Sequence, residues 1–129
     1  MRDILVSKNG GKLAQSIKIG PHSLLADESV ENQGEDLGPN PMEYLCAALG
    51  SCTALTAKLY AQRKNWPLEN TEVMVTLDRQ EELTVFDRKV KFLGALDQSQ
   101  RDRLLEIVNH CPVHKVLTGK IRIDTVLLT

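Results

Sequence analysis

The stretch PNPMEYLCAALGSCTALTAKLYAQRKNW, residues 39–66, reads as one long helix, and its composition decides the fold. Asn40 can accept a hydrogen bond from the open first turn, and Pro41 suits the first helical position, where its missing N–H costs nothing. Glu43, three residues after the cap, completes a capping box. The helix is expected to run from Pro41 to about Lys64. Its middle is apolar or small on nearly every face (Leu45, Cys46, Ala47, Ala48, Leu49, Cys52, Ala54, Leu55, Ala57, Leu59), whereas a surface helix keeps a polar stripe. It therefore reads as central and largely buried. One sheet and a short helix pair do not cover such a helix on all sides, so burial by a second copy, in a homodimer, is expected.

The flanking sequence supplies the sheets. The first 26 residues alternate apolar and polar positions around Asn9-Gly10-Gly11 and Gly20-Pro21, with Ile4 and Val6, then Leu13, Ile17 and Ile19, then Leu24 as facing sets. This predicts an antiparallel meander. Residues 27–40, DESVENQGEDLGPN, carry five acids and almost nothing apolar, and read as a surface loop leading into the helix. Downstream, TEVMVTLDR (71–79) and LTVFDRKVKFLG (83–94) form a hairpin across Gln80-Glu81-Glu82. Ser99 is then expected to cap a helix through RDRLLEIVNH, which Pro112 ends. A short helix PVHKVL follows, closed by Gly119, and IRIDTVLLT (121–129) is the final strand. The reading is a single α+β domain over residues 1–129, of order βββ-α-ββ-αα-β.

Sixteen basic and seventeen acidic side chains leave a net charge of −1, so no overall field draws in phosphate backbones or anionic lipid. Neither nucleic acid nor a membrane is expected as a partner. MRDILVSKNGG has no apolar core of signal-peptide length, and the expected compartment is the cytoplasm. Three cysteines, an odd number, argue against a disulfide framework.

The chemistry rests on those thiols. Cys46 and Cys52 are six residues apart, about 120° around a helix axis, and do not face each other. Cys46 reads as a small buried hydrophobe. Cys111 has the better local case for reactivity, at the cap of the helix that starts at Pro112, with His110, His114 and Lys115 nearby. Cys52 lies mid-helix, where the dipole gives no help, and on local rules it is more simply a core residue. His110, Cys111 and His114 could ligate a metal, but a fourth ligand at matching spacing is missing, and neither metal nor cofactor is expected.

GPNPMEYLCAALGSCTALTAKLYAQRKNWPLENTEV and NHCPVHKVLTGKIRID together resemble the OsmC/Ohr family of osmotically inducible and organic-hydroperoxide-resistance proteins. The specific elements are Asn40-Pro41 followed by a helical Cys twelve residues after the Asn, and Cys111-Pro112-Val113; the A-x-R-K-x-W-P-L segment looks more like the OsmC-like branch. The resemblance implies an intertwined homodimer and a thiol peroxidase in which Cys52 is the peroxidatic cysteine and Cys111 the resolving one, reversing the local order. It also implies an organic hydroperoxide substrate and an external dithiol reductant.

One position departs from the resemblance. Where the peroxidase branches carry a Glu directly after N-P, this chain has Met42, with Glu43 one residue further and about 100° around the helix. Glu43 reads either as the capping-box residue or as a displaced catalytic acid. The N-terminal hairpin, where the family can supply an activating Arg, offers Lys12 and Lys18, with Arg2 as its only Arg. Arg63, Arg79 and Arg88 read as solvent-facing. His114 reads as a surface residue or as a proton donor to the disulfide chemistry. A second functional reading is a binding protein for a small apolar or thiol ligand that kept the fold without fast peroxide chemistry.

Overall fold

The computed structural model describes residues 1–128. The chain forms two compact units, Met1–Leu45 and Cys46–Thr129. In the first, strands β1 (Ile4–Lys8), β2 (Gln15–Ile19) and β3 (His22–Ala26) make an antiparallel sheet in the order β1-β2-β3. Its register sets Ile4 opposite Ile19, Val6 opposite Ile17, and Ile17 opposite Leu24, the apolar facing sets expected from alternation. Leu13 falls in the loop between β1 and β2 instead. Gly20 and Pro21 make the two-residue turn into β3, with Gly20 at φ 55, a conformation that favours glycine at the first turn position.

Residues 27–40 form a surface loop that is more organised than its composition predicts. Asp27 is buried, and its carboxylate accepts from the N–H groups of Glu28 (2.8 Å), Glu35 (3.2 Å) and Leu37 (3.1 Å). A short 3-10 turn, Val30–Asn32, lies inside the loop. Gly34 passes so close to Glu28 that a Cβ there would sit 2.0 Å from its carbonyl oxygen. Three donors converging on one charge replace the apolar contacts this segment lacks.

Helix α1, Pro41–Lys64, has the predicted bounds and begins with the predicted capping box. Asn40 N–H donates to Glu43 Oε1 and Glu43 N–H donates to Asn40 Oδ1, both at 2.8 Å. At its far end Asn65 adopts φ 55 and Trp66 N–H returns to Ala61 O at 2.9 Å, a left-handed cap closing the last turn.

In the second unit, β4 (Leu68–Arg79) pairs antiparallel with β5 (Thr84–Gly94), with an irregularity in register between Leu68 and Asn70. Helix α2 (Gln98–Val108) and helix α3 (Pro112–Thr118) follow. The core joins Ala57 and Ala61 of α1, Phe92 of β5, and Leu104 and Val108 of α2, with Tyr60, Trp66, Leu68, Val90 and Leu96 packed around it. The cap of α2 is Asp97 rather than Ser99. Its carboxylate accepts from Gln100 N–H and its own N–H donates to Gln100 Oε1, so an acid with an amide three residues on outcompetes the serine. Ser99 instead donates to Asp97 Oδ1.

Two expectations change. Helix α1 is long and apolar, yet within one chain it buries a single stripe, Leu49, Thr53, Ala57 and Ala61. Leu55 and Leu59 remain 63% and 58% exposed, because one hairpin and two short helices cover one side only. The expected last strand does not form. Residues 120–128 carry no regular structure, since a strand needs a hydrogen-bonded neighbour and neither sheet includes this segment; Thr129 lies outside the described residues. Among the described residues no helix is long and apolar enough to cross a membrane.

Candidate active site

Cys52 sits in the middle of α1, half-buried, one position around the helix from the buried stripe. It shares a face with Leu45, Ala48, Leu55 and Leu59, at alternating spacings of three and four, so it lies on the apolar side that this chain leaves open. Its neighbour Thr53, about 100° further around the helix, is fully buried. Thr53 Oγ1 donates to Leu49 O at 2.7 Å, which leaves its lone pairs for another donor.

That donor is Arg88. Strand β5 places Phe86, Arg88, Val90 and Phe92 on its inward face, and the Arg88 guanidinium reaches three elements at once. Nη1 donates to Thr53 Oγ1 at 3.0 Å; Nη2 donates to Asn109 Oδ1 at 2.9 Å and to His114 Nδ1 at 3.1 Å. Arg88 is therefore not the solvent-facing residue expected from sequence. Arg79 is exposed, and Arg63 is exposed with its guanidinium over the Tyr60 ring. The inward alternation of FDRKVKF was the signal for Arg88: on that period it shares a face with two phenylalanines and a valine.

Cys111 is fully buried and caps α3 as expected, its sulfur accepting from His114 N–H at 3.4 Å. The residues Arg88 grips flank it, Asn109 two positions before and His114 three after. No disulfide joins Cys52 to Cys111. His114 is part-buried, and its pKa is lowered first by that burial, then by the positive charge of Arg88 and by His110. Because a guanidinium can only donate, Nδ1 of the neutral ring must accept from it, which leaves the ring proton on Nε2. Among the described residues no three His, Cys, Asp or Glu side chains converge as a metal site. A cleft of about 480 Å³ opens beside this cluster, lined by Leu49, Phe86, Arg88, His114, Leu117 and Thr118 among others.

The remaining candidates have local partners. Glu43 closes the α1 capping box, and Met42, in the same first turn, is partly exposed. Lys18 Nζ donates to Ser23 Oγ at 2.6 Å, the backbone N–H of Lys12 donates to Glu35 at 2.8 Å, and Arg2 lies over the Gly20 turn.

Residues 34–126 match the sequence model of the OsmC-like protein family. The chain belongs to that family. No curated protein matches its sequence. Among solved structures, the OsmC-like protein from Mycoplasma pneumoniae is similar with a TM-score of 0.78 at 18% identity, covering 92% of this chain and 88% of that one. The organic hydroperoxide resistance protein OsmC from Legionella pneumophila is similar at 0.63 and 20% identity, covering 91% of this chain and 90% of that one. The organic hydroperoxide resistance protein OhrB of Bacillus subtilis is similar at 0.58 and 19% identity, covering 91% of each. At these identities the likeness shows the OsmC fold. Within that fold, this OsmC-like chain carries one thiol on the open face of α1, a second at the α3 cap, and an arginine between α1 and the segment that bears the second.

Proposed function

We propose that this OsmC-like chain is a cytoplasmic, homodimeric, thiol-dependent organic hydroperoxide reductase, a single domain over residues 1–129. Cys52 is the peroxidatic residue and Cys111 the resolving one. The observation that carries the reading is Cys52 half-buried on an apolar helix face beside Leu55 and Leu59, in a chain whose structural neighbours include proteins named for organic hydroperoxide resistance.

In the first step the Cys52 thiolate attacks the distal oxygen of the hydroperoxide. The O–O bond breaks, the alkoxide takes a proton and leaves as the alcohol, and Cys52 becomes a sulfenic acid. In the second step Cys111 attacks that sulfur, the S–O bond breaks, and water leaves as the disulfide forms. An external dithiol then exchanges with the disulfide, returning both thiols and leaving as its own disulfide. The apolar face around Cys52 favours a carbon-rich hydroperoxide, since burying its chain adds about 25 cal/mol per Å² of apolar area.

The test is stoichiometric. One equivalent of cumene hydroperoxide added to the reduced protein should yield a Cys52–Cys111 disulfide by peptide mass mapping, with cumyl alcohol formed in equal amount. Survival of both thiols for minutes refutes the reading.

Met42 favours a second reading, in which the fold and its apolar face bind a small apolar or thiol ligand without fast peroxide chemistry. Its mark would be a ligand retained in native mass spectra by the wild type and by Cys52→Ser alike.

A further inference from the structure

We propose that Arg88 is a positioning residue for disulfide closure, a clamp that holds the Cys111-bearing segment against the part of α1 that carries Cys52; the inference rests on the assignment of those two thiols as the redox pair. Arg88 bonds Thr53, the residue after Cys52, and on the other side bonds Asn109 and His114, which bracket Cys111. Asn109 caps the end of α2 and His114 stands in the first turn of α3, so both ends of the turn at 109–112 are fixed to one planar group. Among the described residues Arg88 joins these three elements through its hydrogen bonds, and no carboxylate of those residues lies within 4.0 Å of its guanidinium. Its charge is thus held by neutral acceptors alone, which fits a geometric role better than a surface ion pair.

Closing a disulfide demands Cα atoms within about 7 Å and a narrow range of torsions. Both thiols therefore have to be presented together. A loop left free to wander lowers the effective concentration of Cys111 at the Cys52 sulfenic acid, and that concentration sets the closure rate. A guanidinium is suited to this because its donors diverge at fixed angles, whereas a lysine at the same place offers a point charge on a flexible stem. Arg88 does not touch either sulfur through any of its three bonds, so it acts on the second step through the backbone it holds.

The test uses the full chain, reduced, as wild type, Arg88→Ala, Arg88→Lys, Asn109→Ala and the control Lys89→Ala on the exposed face of β5. Each is treated in two ways. With one equivalent of cumene hydroperoxide and dimedone, the wild type and the control should give mainly disulfide. Arg88→Ala should consume oxidant within about threefold of the wild-type rate, close at least about tenfold more slowly, and accumulate the dimedone adduct on Cys52. With diamide, which takes two electrons and two protons from the thiol pair into its azo bond, the yield of Cys52–Cys111 disulfide should fall in the same order. Arg88→Lys and Asn109→Ala should lie between the extremes, and they decide the matter if Arg88→Ala does not fold. Closure at the wild-type rate in folded Arg88→Ala, or in both intermediate variants, overturns the clamp. A wild type inert to hydroperoxide that still closes with diamide in an Arg88-dependent way refutes the reductase and supports the clamp. No disulfide from either oxidant overturns the clamp itself.

Discussion

At Thr53 a single hydroxyl serves two partners, donating to Leu49 O and accepting from Arg88 Nη1, inside a fully buried stripe of α1. Valine has nearly the same shape and neither function. Thr53→Val therefore leaves a part-buried guanidinium with a missing acceptor, while the helix keeps its backbone ladder and loses only a local side-chain bond. Hydrogen bonds to charged groups are worth about 1.5–3 kcal/mol, and an orphaned donor costs a similar amount. Thr53→Val should thus lower the free energy of unfolding by about 1–3 kcal/mol in urea melts at fixed protomer concentration. Thr53→Ser, which removes a methyl and keeps the hydroxyl, should lose about 1 kcal/mol or less. If valine proves as stable as serine, the Arg88 bond contributes nothing to the fold. The same residue shows what was hidden in the sequence. Its burial follows from the spacing of Leu49, Thr53, Ala57 and Ala61, but its acceptor role depends on a strand residue 35 positions away.

Among the elements, the loop of residues 27–40 is the one held by a single charge. Three backbone N–H groups, from Glu28, Glu35 and Leu37, keep the Asp27 pKa below its ordinary carboxylate value, against the opposing effect of burial. A carboxylate whose folded pKa is depressed binds fewer protons in the folded state than in the unfolded one near pH 4. Its contribution is present above the unfolded value of about 3.9 and is lost as pH falls through the folded value. Amide hydrogen exchange at Glu35 and Leu37, corrected for the intrinsic pH dependence, should accordingly lose protection below pH 4. Asp27→Ala should show that lost protection already at pH 7 and change little on acidification, because it removes the acceptor of all three N–H groups. Protection in the variant equal to wild type at pH 7 would refute the arrangement. Composition marked this segment as a loop correctly, but five acids gave no means of telling which one turns inward. Helix α1 was legible end to end because its cap, its proline and its apolar run agree. On β5, the alternation of FDRKVKF sets Arg88 on the face of Phe86, Val90 and Phe92, a signal that the solvent-facing expectation for arginine did not use. The bond to Asn109 had no local signal, since the two residues meet only through the fold.

For the whole molecule, the open question in the sequence was what covers α1, and one chain leaves much apolar surface uncovered. Ile4, Leu5 and Val6 of β1, Leu55 and Leu59 of α1, and the tail from Ile121 to Leu128 are all exposed, with Ile123 at 84% and Leu127 at 90%. Apolar side chains left exposed in each of these segments mark places for association, and the last strand fails for a related reason, since residues 120–128 have no hydrogen-bonded neighbour in either sheet. The homodimer proposed above covers the first and supplies the second. Two linked outcomes follow. Leu55→Asp and Leu59→Asp each remove a side chain whose burial is worth about 1.5–3 kcal/mol and add a charge, so each should weaken self-association by at least about tenfold, read by sedentation equilibrium or light scattering across a dilution series. Deleting residues 120–129 should weaken it as well and lower the strand signal in circular dichroism by more than an unstructured tail could account for. Lys89→Ala, on the exposed side of β5, should leave association unchanged. A wild-type chain that remains monomeric at high micromolar concentration would sink the dimer, and an association unaffected by either aspartate would place the interface somewhere other than the α1 face that carries Cys52.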